Sequence, residues 1–280
     1  MNLIKTSLLS FSVISLWALT ACGNGSVVNK QANSSTEVKQ NSQPEQSTIL
    51  PVSNSKIQAD LENAKKEGKA VFVVVTGTGV TGTDKATTIA KGANAIYKNA
   101  TVVQLDRDDA ANTQLVTEWR LAGAPLPLLL VISPKGLPTG GYILSEATAE
   151  NLAALVPSPK LEEVQFVISN KKPVFVVFTK KSFSDRTEVL QVCKEAVTIL
   201  KNNAAIVEVD LDDIKEANLI DRLEVDKSSK ETTTQVVNVQ GQIAGTSSGL
   251  PDAAKLAEAA IAPPKSGCCP GGAGSAGCAK

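Results

Sequence analysis

Val71-Phe72-Val73-Val74-Val75-Thr76 is answered by Val174-Phe175-Val176-Val177-Phe178-Thr179, about 100 residues further along the chain. A second pair keeps the same order and spacing. Val102-Val103-Gln104-Leu105-Asp106-Arg107-Asp108-Asp109 returns as Ile206-Val207-Glu208-Val209-Asp210-Leu211-Asp212-Asp213. Two strings recurring together point to one structural plan built twice. The apolar runs have strand length and do not alternate with polar residues. Such runs belong to strands covered on both faces, as in parallel sheets.

The segments around these strings supply the rest of the plan. In the first repeat Ser55 can cap a helix whose Ile57, Leu61 and Ala64 share one face, with Gly68 ending it. Strand 71–75 leads through a Gly/Thr-rich turn to a helix near 85–98, strand 101–105 and a helix over 112–121. Strand 128–132, the turn Ser133-Pro134-Lys135-Gly136, a short strand at 142–144 and a helix beginning at 150–155 follow. The second repeat reads helix 160–169, strand 174–178, helix 186–201, strand 205–209, helix 214–223, strand 235–239, the turn Gln240-Gly241, a short strand and helix 252–261. Alternating strands and helices imply parallel crossovers, and the last strand pair of each repeat reads as a hairpin. The fold class is α/β, with a central mixed sheet flanked by helices in each repeat.

This order, with Lys65-Lys66-Glu67-Gly68-Lys69 ahead of the first core strand and Leu121-Ala122-Gly123-Ala124-Pro125-Leu126-Pro127-Leu128-Leu129-Leu130 ahead of Gly136, resembles the thioredoxin fold in two tandem copies. The resemblance covers 55–156 closely and 157–262, a divergent second domain, more loosely. It implies a cis-proline before the third strand, facing the active site. Pro127 has the better spacing to Gly136 and is the candidate; Pro125 is the alternative.

The resemblance also implies a Cys-x-x-Cys pair after the first core strand, where a helix N-terminus would lower the first thiol's pKa. The first repeat instead reads Thr76-Gly77-Thr78-Gly79-Val80-Thr81-Gly82-Thr83-Asp84, and the second Thr179-Lys180-Lys181-Ser182-Phe183-Ser184-Asp185. Neither holds a cysteine, and Thr233-Thr234 stand near the proline site of the second. No catalytic residue and no cofactor-binding residue is assigned, and dithiol exchange at the usual place is not expected. The glycine-rich turn lacks the Gly-Lys-Ser/Thr of a phosphate loop. Cys193, mid-helix in an apolar setting, reads as a buried small hydrophobe. Asp106, Asp108, Asp109 and their counterparts Asp210, Asp212, Asp213 read as strand ends and helix caps rather than a cation site. Asp84 and Asp185 are expected to cap helices, and Trp119 to sit in the core.

The N-terminus carries a different message. Lys5 precedes the apolar run 8–19, which is shorter than the roughly 20 residues of a membrane span and has the form of a signal-peptide core. Leu19-Thr20-Ala21-Cys22 resembles the lipobox of bacterial lipoproteins. It implies cleavage after a 1–21 signal peptide and attachment of acyl chains, palmitate among them, at Cys22. Residues 22–54, rich in Ser, Asn, Gln and Glu, read as a flexible tether that cannot bury enough apolar surface to order itself. More than one acyl chain anchors firmly where a single one does not. The expected location is the cell envelope, lipid-anchored. Gly23 favours the outer membrane, facing the periplasm, if the organism has two membranes.

Composition narrows the chemistry. Charge is balanced, 28 basic against 28 acidic residues, and no basic patch suggests nucleic acid. There is no histidine, which excludes Ser-His-Asp triads, Cys-His pairs and histidine metal ligands. Aromatic residues are only 4%, too few for a sugar-stacking platform. The tail 263–280 is Gly-rich and carries Cys268, Cys269 and Cys278. An exported compartment favours a disulfide or an intermolecular crosslink there. A soft metal such as Zn²⁺ or Cu⁺ on the thiolates and no specific role are the alternatives. The expectation is a membrane-anchored lipoprotein whose redox-inactive domains bind or scaffold an envelope protein partner. A redox protein using the tail thiols and a soft-metal handler are its rivals.

Overall fold

The computed structural model describes residues 55–263. The first repeat runs α1 (Lys56–Lys66), β1 (Ala70–Thr76), α2 (Thr83–Ile96), β2 (Ala100–Asp106), a 3₁₀ turn (Ala110–Asn112), α3 (Thr113–Glu118), β3 (Leu128–Ile132), β4 (Pro138–Ile143) and α4 (Ala149–Ala153). The second runs α5 (Pro159–Ser169), β5 (Val174–Thr179), α6 (Arg186–Ile199), β6 (Ala205–Asp210), a 3₁₀ turn (Ile214–Glu216), α7 (Ala217–Arg222), β7 (Thr233–Val237), β8 (Ile243–Ser248) and α8 (Ala253–Ile261). The sheets have the orders β2-β1-β3-β4 and β6-β5-β7-β8. In each the first two strands are parallel and the remaining pairings antiparallel. This is the thioredoxin-like arrangement, twice.

The unbroken apolar runs follow from burial on both sheet faces. Val71, Val73 and Val75 pack with Ile57, Leu105 and Leu115 beneath α1 and α3. Phe72 and Val74 point the other way, to Ala86, Ala90, Ala93 and Leu152 of α2 and α4. Repeat two divides likewise: Val174, Val176 and Phe178 face α5 and α7, while Phe175 and Val177 face α6 and α8. The fully buried Phe72 and Phe175 each gain roughly 1.5–3 kcal/mol from leaving water. The alanine face of α2 lets α4 approach closely; a Cβ on Gly92 would lie 2.9 Å from Ala149 Cβ.

Ser55 and Ser158 cap α1 and α5, their hydroxyls accepting from Gln58 and Leu161 N–H. Several expected boundaries move: the helices expected over 112–121 and 214–223 are each a 3₁₀ turn followed by a short helix, and two strands shift. The strand expected over 235–239 starts instead at Thr233, because Thr233 and Thr234 are buried and pair with Phe178 and Val177. The short strand at 142–144 extends back to Pro138, pairing glycines 140 and 141 with Val131 and Leu130. The repeats meet where the Lys135 N–H donates to the buried Glu162 carboxylate at 2.6 Å and Lys135 Nζ lies 5.3 Å from the Phe166 ring centre. No helix among the described residues is long and apolar enough to cross a membrane.

Candidate functional site

In the first repeat the β1–α2 turn, the end of β2 and the segment before β3 converge. The Leu126–Pro127 peptide bond is cis. Pro127 is buried and faces the start of α2: a Cβ placed on Gly82 would come within 3.9 Å of its ring. Gly82, at φ +86°, occupies the cap position of α2 without a side-chain cap. Two hydroxyls stand where a thiol pair would be sought, Thr76 Oγ1 and Thr83 Oγ1, 3.0 Å apart. They bond each other, and among the described residues no other side chain is hydrogen-bonded to either.

The turn is tied down from β2. Asp108 Oδ2 accepts the Thr78 N–H at 2.7 Å, and this bond holds its carboxyl below the usual carboxylate range, with Arg107 adding a smaller pull. Arg107 donates to the carbonyls of Ala124 at 2.8 Å and Leu121 at 3.3 Å, which fixes the segment leading to Pro127. Gly77 is needed here, because a Cβ would sit 2.8 Å from Asp108 Oδ2. The Leu126 N–H and carbonyl make no hydrogen bond among the described residues.

The second repeat closes the same place differently. Thr233 pairs with Phe178 as Leu128 pairs with Val75, so Thr232, not Thr233 or Thr234, stands where Pro127 stands. Thr232 is fully buried. Its N–H and hydroxyl both donate to Asp185, at 2.9 Å each, and its oxygen lies 3.1 Å from Thr179 Oγ1. A carboxylate at the head of α6 is thus bonded directly to the proline-equivalent position.

This corrects the reading of the two helix-start aspartates. Asp185 occupies the cap position but its side chain caps nothing, being committed to Thr232. Asp84 lies inside the first turn of α2, behind Gly82. By contrast Asp109 and Asp213 do cap the 3₁₀ turns, accepting from Ala111 and Lys215 N–H. Asp106 and Asp210 each accept from the N–H two residues on, and Asp212 pairs with Lys180 at 3.0 Å. No group of three or more His, Cys, Asp or Glu among the described residues could hold a metal ion. Trp119 packs against the α1/α3 core.

Cys193 is fully buried on α6, where loss of water pushes its thiol up to about 11. Cys22, Cys268, Cys269 and Cys278 lie outside the described residues. Thr232, the bonds that commit Asp185 to it and the Asp108–Thr78 bond were missed in the sequence. Locating Thr232 requires the strand register, since the repeat offset changes between β5 and β7.

No family model matches the sequence, and no curated protein matches it. Solved structures do. Trxlp from Edwardsiella tarda EIB202 matches at 13% identity and TM-score 0.27, over 35% of this chain and 91% of that one. The first two thioredoxin domains of Saccharomyces cerevisiae Eps1p match at 12% identity and TM-score 0.27, over 63% and 84%. Human ERp44 form II matches at 12% identity and TM-score 0.32, over 71% of this chain and 53% of that one. Overlaps this loose carry no argument about activity. The thioredoxin-like fold rests on the strand order and register above.

Proposed function

We propose that the chain is a lipid-anchored envelope protein whose two thioredoxin-like units bind a protein partner and exchange no disulfides. The observation that carries the reading is that both redox positions hold hydrogen-bonded threonine and aspartate side chains in place of thiols. Thiol–disulfide exchange needs an accessible thiolate. Cys193, buried with a raised pKa, does not offer one. The unpaired Leu126 backbone beside Pro127 is available to an extended peptide strand, a mode of recognition that draws affinity from main-chain bonds. Anchoring through acylated Cys22 would leave the folded units joined to the bilayer by the 22–54 tether.

The test is turnover of a small disulfide substrate by the chain and by its Cys268/Cys269/Cys278→Ser variant. Neither should exceed background. Activity lost in the triple variant would transfer the function to the tail thiols. Activity retained in it would overturn the redox-inactive reading and leave Cys193, or Cys22 where it is not acylated, as the residue responsible. Stoichiometric metal retained by the parent and lost from the triple variant would favour soft-metal handling. For the anchor, Cys22→Ser should release the protein into the soluble fraction or block its maturation. A variant processed normally and still membrane-bound would refute acylation at that residue.

A further inference from the structure

A cleft of about 280 Å³ opens at the C-terminal ends of the parallel strands β5 and β6, beside the first turns of α5 and α6. In open α/β sheets the carboxyl ends of parallel strands are where ligands settle. Four cationic and four acidic residues line it. The strand pairings and the helix starts align the two repeats at this place. Lys180, Lys181, Arg186 and Glu208 stand where repeat one has Gly77, Thr78, Thr83 and Gln104. Asp210 and Asp213 match Asp106 and Asp109, so both repeats keep the two aspartates. Repeat two has added cations where repeat one shows that the fold does without them.

How these charges are spent decides what the cleft can hold. Glu216 is buried and gives both oxygens to the start of α5, accepting from the Ser158 hydroxyl and the Lys160 N–H. Lys180 pairs with Asp212 and Lys160 with Glu163. Arg186 Nε donates to Glu208 at 2.6 Å, while its two Nη groups make no hydrogen bond among the described residues. The exposed Lys181 ammonium has no partner among the described residues either. Asp210 Oδ1 accepts the Asp212 N–H and Asp213 Oδ1 the Lys215 N–H. The second oxygen of each aspartate has no partner among the described residues. Unspent donors and unspent acceptors thus line one cavity. A lone anion there would meet the two aspartates, and a lone cation would meet the arginine and the lysines. A molecule carrying both charges meets neither penalty.

We propose that this cleft binds a small zwitterion of the amino-acid or short-peptide class, its carboxylate held by the outer Nη groups of Arg186 with Lys181 and its ammonium by Asp210 and Asp213. The planar fork of arginine suits a carboxylate, which it can grip through two parallel bonds. The cavity falls just below the roughly 300–1,000 Å³ that drug-sized ligands fill, as a smaller molecule requires. The site rests on neither the anchoring nor the redox-inactive reading.

The probes are glycine, diglycine and triglycine, which step the distance between the two charges, titrated into the full chain by calorimetry and mapped by amide NMR shifts. The member whose span fits should bind about tenfold more tightly than its N-acetyl form, which lacks the ammonium, and than its C-terminal amide, which lacks the carboxylate. That factor is the worth of one hydrogen bond to a charged group. Shifts should cluster at 179–186 and 208–216. Arg186→Thr, the repeat-one residue, should weaken binding about tenfold and remove the preference over the amide. Asp210→Asn keeps an oxygen for the Asp212 N–H and should remove the preference over the N-acetyl form. Lys181→Thr, also the repeat-one residue, should weaken binding about threefold, as suits an exposed charge. Lys181 is exposed, so its variant reports on the site rather than on folding. Failure of all three probes to bind, equal binding of either blocked form, or unchanged binding in Arg186→Thr and Lys181→Thr would overturn the proposal.

Discussion

Replacing Asp185 with alanine tests whether the carboxylate–threonine lock holds the second repeat together. In the native chain the Thr179 hydroxyl can donate to Thr232, and Thr232 donates both its hydroxyl and its N–H to Asp185. Alanine removes both acceptors. The Thr232 hydroxyl can turn toward Thr179, but its N–H is fully buried and is left without a partner. An orphaned buried donor costs about 1–3 kcal/mol, and a hydrogen bond to a charged group about 1.5–3. Asp185 is itself half-buried, so regained hydration of its surroundings offsets part of this. The expected net loss is about 2–3 kcal/mol. Asparagine keeps an oxygen for the N–H and can donate to the hydroxyl, so Asp185→Asn should lose only about 1 kcal/mol. Urea unfolding followed by far-ultraviolet circular dichroism measures the difference. Trp119, in repeat one, supplies a second signal: Trp17 lies in the expected leader, and the chain has no other tryptophan. Alanine and asparagine variants alike within about 0.5 kcal/mol of the parent would refute the lock, since changes that small are typical of surface sites.

Three further outcomes follow from the packing and the titrating groups. Burial raises the Cys193 thiol from about 9 to about 11, so the native state holds that proton more tightly than the unfolded chain. Its contribution to stability is therefore intact below pH ~9 and is lost as pH rises through ~11; the stability of the parent minus that of Cys193→Ala should fall over that window, and a flat difference would contradict the buried thiol. Asp108 is shifted the other way, so its contribution is present above the ordinary carboxyl range and disappears as pH falls through its lowered native value. The Thr78 amide proton resonance should report that midpoint by NMR, and a midpoint at or above the ordinary value would remove the bond from solution. Gly141→Ala would put a Cβ 2.5 Å from the Leu129 carbonyl oxygen and 2.6 Å from Leu130 Cδ2. A loss of about 1–3 kcal/mol in thermal unfolding is expected, the usual range for overpacking.

The parts legible in the sequence are those written in local pattern. Val71–Val75 and Val174–Phe178 announce double-sided burial because nothing polar interrupts them, and Ser55 announces a helix start because its hydroxyl serves the next turn. β7 was misplaced because its first two residues are threonines, which local hydropathy assigns to solvent. They are buried because β5 and β8 pair on either side of them. Pro127 was legible from its spacing to Gly136. Its counterpart was not, because Thr232 carries no mark until the strand register is known. The lock partner Asp185 lies 47 residues away, beyond any local motif. Gln235 shows the same limit: a glutamine inside a strand reads as surface, yet its pairing with Val176 of the central strand buries it.

The two repeats have diverged at opposite places on one plan, and this bears on how binding would be divided between them. At the proline end, repeat one leaves the Leu126 backbone groups without a partner among the described residues, whereas in repeat two Asp185 accepts from both donors at that position. An extended peptide offered to repeat two would have to displace a charge-assisted pair of bonds before making its own. On the α1/α3 side the difference lies in the lining: Trp119, Glu62 and Lys65 line a narrow cleft in repeat one, while the wider cleft of repeat two is lined by Leu161, Ile168 and Leu223 together with Gln165 and Arg222. A change in one repeat should leave the other undisturbed unless the joint between them transmits it. The candidate for transmission is the bond from Lys135 N–H to Glu162 on α5. Glu162→Gln keeps an acceptor for that N–H while removing the charge, and Glu162→Ala removes both. A thermal unfolding midpoint that falls only in the alanine variant would make the joint a positional support for α5. Midpoints equal to the parent's in both variants would make the two repeats independent.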